Sequence, residues 1–264
     1  MTEIQGTTVL LTGASGGIGQ AIARALAARG ATLVLTGRRA EVLEPLAQEL
    51  GGRALSVDLA DRAAPERLVE QAGDVDVLIA NAALPASGTL DDFTLEQIDR
   101  ALDVNLRAPI ALAKLLAGPM AARGRGHIVF ISSLSGKSAQ PGGSLYSATK
   151  FGMRGFALGL REDLRDSGVG VSTVFPGFIR DAGMFAESGV ELPKGVATRT
   201  PHDVASGVVR TIEDNRAELD VAPLSLRVGA TFSGLAPELS ASVSRKLGNA
   251  RISAAMAAGQ RNKR

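Results

Sequence analysis

The chain has one tyrosine, and a lysine follows it four residues later: Tyr146 and Lys150, in the stretch GGSLYSATKFG. On a helix, positions i and i+4 lie on one face. A phenol ordinarily titrates near ~10, and a neighbouring ammonium favours phenolate and draws that value toward the working range. A phenol so tuned can protonate a carbonyl oxygen as hydride reaches the carbon; in reverse it takes the proton of an alcohol. Tyr and Lys one turn apart are also common as surface packing, so the pair takes its meaning from its company. Ser132 and Ser133 end the β-prone run HIVFISS. That is the carboxyl edge of a strand, where open α/β sheets bind ligands, and a hydroxyl there can stabilise charge on a substrate oxygen. Plain turn chemistry is the alternative for both serines.

A second group lies near the start, in LLTGASGGIGQAIA. Gly13, Gly17 and Gly19 stand between a strand run and a helical run. Glycines there allow a tight turn and close backbone approach, and the following helix offers free N–H groups to an anion such as a pyrophosphate. The strict G-x-G-x-x-G spacing and the P-loop lysine are absent. Gly13 to Gly17 also read as G-x-S-x-G around Ser15, the serine-hydrolase elbow. That elbow needs earlier strands, and only Met1 to Thr12 precede it. It also needs a histidine, and the two present, His127 at a strand start and His202 after Pro201, read as structural.

The second strand run continues as LVLTGRRAE. In a dinucleotide fold an acid at its end binds the adenosine ribose, and an arginine accommodates a 2′-phosphate. Here Gly37 takes the acid's place, followed by Arg38 and Arg39. A guanidinium can hold a phosphate bidentately, so NADP(H) is expected over NAD(H). The alternative is two exposed arginines at a helix start, where the helix dipole disfavours cations.

These residues need a scaffold that brings strand ends and helix starts together. Short apolar runs at Thr8–Leu11, Thr32–Thr36, Ala54–Val57, Val75–Ala80, His127–Ser132, Gly170–Phe175 and Glu218–Val221 read as strands. They are continuously apolar rather than alternating, so both faces must be covered. Helical runs fall between them: Ile18–Ala28, Glu41–Leu50, one before Val75, Thr94–Asn105, Ala108–Ala122, Leu145–Asp166 and His202–Asn215. The pattern predicts an α/β, doubly wound, Rossmann-like fold with a central parallel sheet of about seven strands. Residues 1–222 form the dinucleotide-binding and catalytic domain in this reading. Residues 223–264 form a helical extension of it.

Composition sets the outer bounds. With 264 residues, 45% of them hydrophobic, the chain can bury a large core, and with 3% aromatics that core is aliphatic. No cysteine means no disulfide, iron–sulfur cluster or thiolate zinc site, and no metal is expected. A formal net charge of +2 and a single basic run, Arg261 to Arg264, point to a solvated end rather than a nucleic-acid surface. The start, MTEIQGTTVLLTG, lacks the features of a signal peptide, and no apolar run reaches membrane-spanning length. A cytoplasmic protein is expected.

Taken together, TGASGGIG, Asp58 after the third strand, NAA at Asn81, VNL at Asn105, ISS at Ser133, YSATK at Tyr146 and the Pro176-Gly177 pair match the order and spacing of one family. The chain resembles the short-chain dehydrogenases/reductases from about Thr8 to about Val221. The resemblance implies that Tyr146 is the acid/base. Lys150 would lower its pKa and bind the nicotinamide ribose, and Ser133 would polarise the substrate oxygen. Asn105 would hold a water in a proton relay, or else serve as a helix-kink or cap residue. It also implies cofactor contacts from Gly13, Ser15, Gly17, Ile18, Gly19, Arg38, Arg39, Asp58, Leu59, Asn81, Ala82, Pro176, Gly177 and Ile179, besides Tyr146 and Lys150. Two departures stand out. Ala83 replaces the usual glycine of the N-A-G motif, and Asp181 stands where a threonine usually touches the carboxamide, with Arg180 beside it.

The segment Asp181 to Thr200 reads as a lid. Its apolar residues Met184, Phe185, Val190 and Leu192 suit an apolar ketone or alcohol, or simply core packing. The extension after Pro223 could cap the pocket, form a subunit interface or lie on a membrane, the last being the least expected. The family resemblance implies a homodimer or homotetramer through the helices 108–122 and 145–166. The expected activity is NADP(H)-dependent interconversion of a carbonyl and an alcohol. One alternative is reduction of carrier-bound 3-oxoacyl chains, which would use a basic patch such as Arg123 and Arg125. Another is a non-catalytic NADP(H) sensor.

Overall fold

The computed structural model describes residues 2–190, 196–246 and 249–260. Seven strands form one sheet: β1 (Thr8–Thr12), β2 (Thr32–Gly37), β3 (Arg53–Ser56), β4 (Val77–Ala80), β5 (Gly126–Ile131), β6 (Val169–Pro176) and β7 (Glu218–Val221). Their spatial order is β3-β2-β1-β4-β5-β6-β7, and every pairing is parallel. The order reverses between β1 and β4, which opens a crevice at their carboxyl ends.

The continuous apolar runs follow from burial on both faces. Val9, Leu11, Val77, Ile79, Val129 and Ile131 enter one core, beneath α1 (Gly17–Ala27), α2 (Ala40–Leu50) and α8 (Pro201–Glu213). Their neighbours Leu10, Leu78, Ile128 and Phe130 point the other way, toward α3 (Ala64–Ala72), α5 (Ala108–Ala122) and α6 (Ser144–Asp163). The central strands β4 and β5 thus alternate faces while staying buried throughout.

The helix expected over Thr94–Asn105 and the one over Ala108–Ala122 are a single run. It passes from α4 (Leu95–Leu102) through a π turn, Asp103–Arg107, into α5. Pro109 explains the irregularity. It has no N–H to return to the Asn105 carbonyl, so the α-helical register cannot continue there. After β6 the chain forms a short helix α7 (Gly183–Ala186). After β7 come α9 (Leu224–Leu235), α10 (Pro237–Lys246) and α11 (Asn249–Gln260). Leu192 and the basic run from Arg261 lie outside the described residues. Among those described, no helix is long and apolar enough to cross a membrane.

His127 is a structural residue of β5. Its Nε2 lies 2.8 Å from Ser172 Oγ on β6, and that hydroxyl donates onward to the Arg216 carbonyl. The ring therefore donates from Nε2, and Nδ1 is buried without a hydrogen-bond partner among the described residues. Burial, aided by the nearby Arg161 charge, pushes its pKa down to about 3. The unfolded chain takes up a proton below about 6.5 that the folded chain refuses. Stability is therefore full above that pH and falls by up to roughly 1.4 kcal/mol per pH unit between there and pH 3. Urea midpoints across that range should show this slope, and His127→Gln should flatten it.

Candidate active site

The carboxyl edge of the sheet opens into a cavity of about 530 Å³. Ser133 follows β5, Tyr146 and Lys150 come from the first two turns of α6, and all three line this cavity. So do Asn81 after β4, Ile18 at the start of α1, and Pro176, Gly177 and Ile179 at the end of β6. The remaining predicted cofactor residues lie outside its walls.

Lys150 is 1% exposed, and its Nζ donates to the Ile131 carbonyl at 3.0 Å, tying α6 to the end of β5. Burial pushes its pKa down to about 8. Tyr146 packs against the small apolar cluster of Ala86, Ala101 and Leu145 while keeping part of its surface open to the cavity. The sequence suggests that the lysine lowers the phenol. The structure instead has burial pushing Tyr146 up to about 12, with a hydrogen bond to Ser133 pulling the other way. The lysine nitrogen is 5.6 Å from the phenol ring centroid. The same enclosure disfavours charge on both groups, so Tyr146 is held as a neutral O–H donor. Ser133 Oγ also accepts from the Ser135 N–H at 3.2 Å, which fixes the hydroxyl at the turn.

The first helix is built to receive an anion. Thr94 and Thr200 close capping boxes on α4 and α8, but α1 starts after Gly16, which has no side chain to cap it, and has no acid in its first turn. Its first N–H groups are thus left for a ligand. Gly13 takes a φ of 67°, and a Cβ there would come within 2.8 Å of the Ala82 backbone. A Cβ at Gly19 would collide with the Gly13 carbonyl, so the turn and α1 close only around glycine. Asn81 fastens this turn to β4: its Nδ2 donates to the Thr12 and Gly13 carbonyls at 3.0 and 3.1 Å. Thr12 completes the clasp, its Oγ1 accepting from the Asn81 and Ala82 N–H groups at 3.0 Å each. Thr12 is not singled out by the sequence; a threonine at a strand end has no signal of its own.

Beyond β2, Arg38 is exposed, and its guanidinium makes no hydrogen bond or ion pair among the described residues. Arg39 is engaged, donating to the Ser15 carbonyl at 2.6 Å and so bracing the glycine turn. Asp58 caps the Ala60 N–H at 3.0 Å, meets Arg100 at 3.3 Å, and lines a separate cleft; Leu59 beside it is buried. Asn105 sits behind the cavity, fully buried. Its amide grips the Leu84 backbone, donating to the carbonyl at 2.9 Å and accepting from the N–H at 2.6 Å.

The lid residues divide. Met184 and Phe185 on α7 face the cavity, as does Val196. Asp181 takes a left-handed φ of 71° and is paired with Arg180 at 3.5 Å. The expected basic patch at Arg123 and Arg125 is corrected. Both precede β5, at the edge opposite Ser133, and both sit against Asp76, at 3.9 and 3.6 Å. They are neither near the cavity nor unpaired.

A doubly wound sheet with an uncapped glycine turn, and a Ser, Tyr and Lys at the same sheet edge, defines a nicotinamide-dependent oxidoreductase site. Comparison with known proteins leads to the same class. A model of the short chain dehydrogenase family matches residues 7–191. Ketoacyl reductase HetN from Nostoc sp. is 38% identical over 230 residues, 84% of this chain and 80% of that protein. The 3-oxoacyl-[acyl-carrier-protein] reductase FabG of Rickettsia conorii is 35% identical over 68% of this chain and 76% of its own length. A short-chain dehydrogenase from Sphingobium yanoikuyae, solved in complex with NADPH, superposes with a TM-score of 0.76 at 30% identity, covering 89% of this chain and 95% of that one. The chain belongs to the short-chain dehydrogenase family. It is an oxidoreductase that uses a nicotinamide cofactor.

Proposed function

We propose that the protein is an NADP(H)-dependent reductase of apolar carbonyl compounds, or the corresponding alcohol dehydrogenase. The observation that carries this is one cavity lined both by Ser133, Tyr146 and Lys150 and by the apolar lid residues Met184, Phe185 and Val196. The bound nicotinamide supplies or accepts the hydride. The α1 N-terminus and the turn at Gly13, Ser15 and Gly17 would hold its pyrophosphate, and Asp58 and Leu59 its adenine. Pro176, Gly177 and Ile179 would flank its nicotinamide. Ser133 positions the substrate oxygen, and Tyr146, held neutral, donates its proton to that oxygen. Lys150 supplies positive charge behind the phenol. The Asn105 amide is committed to the Leu84 backbone at both its oxygen and its nitrogen, and so braces the chain after β4.

Consumption of NADPH against a panel of ketones, aldehydes, quinones and 3-oxoacyl thioesters tests the reading. Absence of turnover on every member would overturn it. The relatives' names favour one narrower reading, reduction of 3-oxoacyl chains. A carrier protein would then dock at the cavity edge rather than at Arg123 and Arg125, and turnover of thioesters over free ketones would select it.

The preference for NADP(H) rests on Arg38. Losing a charge-assisted contact to the 2′-phosphate costs about 1.5–3 kcal/mol. Arg38→Ala should therefore raise KM for NADPH roughly 10- to 100-fold and leave NADH within a few-fold. Equal effects on the two cofactors would remove Arg38 from the phosphate site. A dimer or tetramer is also proposed: Phe151 and Leu158, each 41% exposed, give α6 an apolar strip suited to a second copy.

A further inference from the structure

Ser133 opens a turn that is closed on itself. The 3₁₀ turn Leu134–Gly136 follows it, and the Lys137 N–H returns to the Leu134 carbonyl at 2.9 Å. The turn rests directly on α6: a Cβ at Gly136 would come within 2.8 Å of the Lys150 carbonyl oxygen. Lys137 ends the turn, and its side chain runs to the edge strand β7. Its Nζ donates to Asp220 Oδ1 at 2.7 Å and pairs with Glu218 Oε2 at 3.1 Å.

Helix α6 reaches the same acid. Tyr146, Lys150 and Arg154 follow one another at intervals of four residues, along one face of that helix. Arg154 donates to Glu218 through Nε at 2.6 Å and through Nη2 at 3.1 Å. Both cations also lie by the Phe175 ring, Lys137 Nζ at 4.1 Å and Arg154 Cζ at 5.8 Å from its centroid. The side chains of Lys137, Asp220 and Glu218 are only 11%, 12% and 22% exposed. Enclosure by itself would raise the Glu218 carboxyl, but its bonds to Arg154 and Lys137 hold it below the ordinary value. It therefore stays ionised at neutral pH, and charge-assisted bonds of this kind fix direction as well as distance. We propose that Lys137 is a positioning residue for the reaction: by joining the Ser133 turn to the acids on β7, where Arg154 fastens α6, it sets the placement of Ser133 Oγ against the Tyr146 phenol. Lys137, Arg154, Glu218 and Asp220 do not line the cavity, so they act through the two elements and not on the substrate. The inference rests on the reductase reading for what Ser133 and Tyr146 do.

Lys137→Met should lower kcat about 10- to 100-fold, because small displacements of reacting groups cost that much, and leave KM for NADPH within about twofold. Lys137→Arg, which keeps the charge, should recover most of the loss. In a Ser133→Ala background Lys137→Met should change kcat by no more than about twofold, since the group that it places is gone. An equal loss in both backgrounds would overturn the proposal and leave Lys137 a fold-stabilising residue only. The single tyrosine gives a second readout that needs no turnover. Isotopically labelled at Cζ, it yields one NMR signal, which reports the hydrogen bond between Tyr146 and Ser133. Lys137→Met should move that signal toward the position it takes in Ser133→Ala; a signal that stays at the wild-type position would overturn the proposal. Should the methionine variant not fold, Asp220→Ala removes the nearest partner of Lys137 while Arg154 still neutralises Glu218, and it should move the signal in the same direction. Absence of wild-type turnover on every carbonyl would sink the reductase reading alone, and the Cζ signal would still decide the Lys137 assignment.

Discussion

Tyr146→Phe is expected to lower carbonyl reduction by about 10²- to 10⁴-fold, with kcat and kcat/KM falling together. The substitution removes one oxygen and keeps the ring. The ring's packing against Ala86, Ala101 and Leu145 is therefore retained, and the thermal midpoint should move little. What disappears is the proton donor and its hydrogen bond with Ser133. Lys150 cannot replace it, because its nitrogen is turned to the Ile131 carbonyl, and His127 lies at the other end of β5, bonded to Ser172. Affinity for NADPH, read by fluorescence titration, should stay within a few-fold, because the glycine turn proposed to hold the phosphates lies outside the walls of the cavity that Tyr146 lines. A variant that keeps turnover would remove Tyr146 from the acid/base role. A variant that loses cofactor affinity and turnover in proportion would make it a binding residue.

The parts of this protein that are legible in its sequence share a physical property: they depend on local pattern. The strands are runs buried on both faces, so Leu10 and its neighbour Val9 both read directly as strand, although they enter different cores. The glycine turn and the Tyr146–Lys150 spacing are equally local. What is not legible depends on neighbours distant in sequence or on geometry that no pattern encodes. The stretch after Asn105 reads as a gap between two helices, because nothing in the sequence shows that a π turn can carry one helix past Pro109. Arg39 reads alongside Arg38 as a phosphate ligand, and only the fold reveals that it also donates to the Ser15 carbonyl. The direction of the Tyr146 shift depends on enclosure, which spacing cannot report.

Lys150 carries the second large effect, and it links activity to stability with opposite signs. Its pKa falls from 10.5 to about 8 on folding, because burial disfavours the ammonium. Below pH 8 the folded protein holds a buried charge that the unfolded chain keeps in water. The folded state binds fewer protons between pH 8 and 10.5, so stability rises with pH through that window. The full penalty, present below pH 8, is roughly 3 kcal/mol from the size of the shift. Lys150→Met should therefore raise the urea midpoint at pH 7, by an amount equivalent to about 1–3 kcal/mol after loss of the bond to the Ile131 carbonyl. Activity should move the other way. The wild-type reduction rate should fall above pH 8 as the ammonium deprotonates, well before the phenol at about 12 titrates. In Lys150→Met the rate should be about 10²-fold lower and show no limb near pH 8. A limb that persists in the variant would belong to another group. A variant both less active and less stable would mean that the hydrogen bond to Ile131, and not the charge, is what the fold retains at this position.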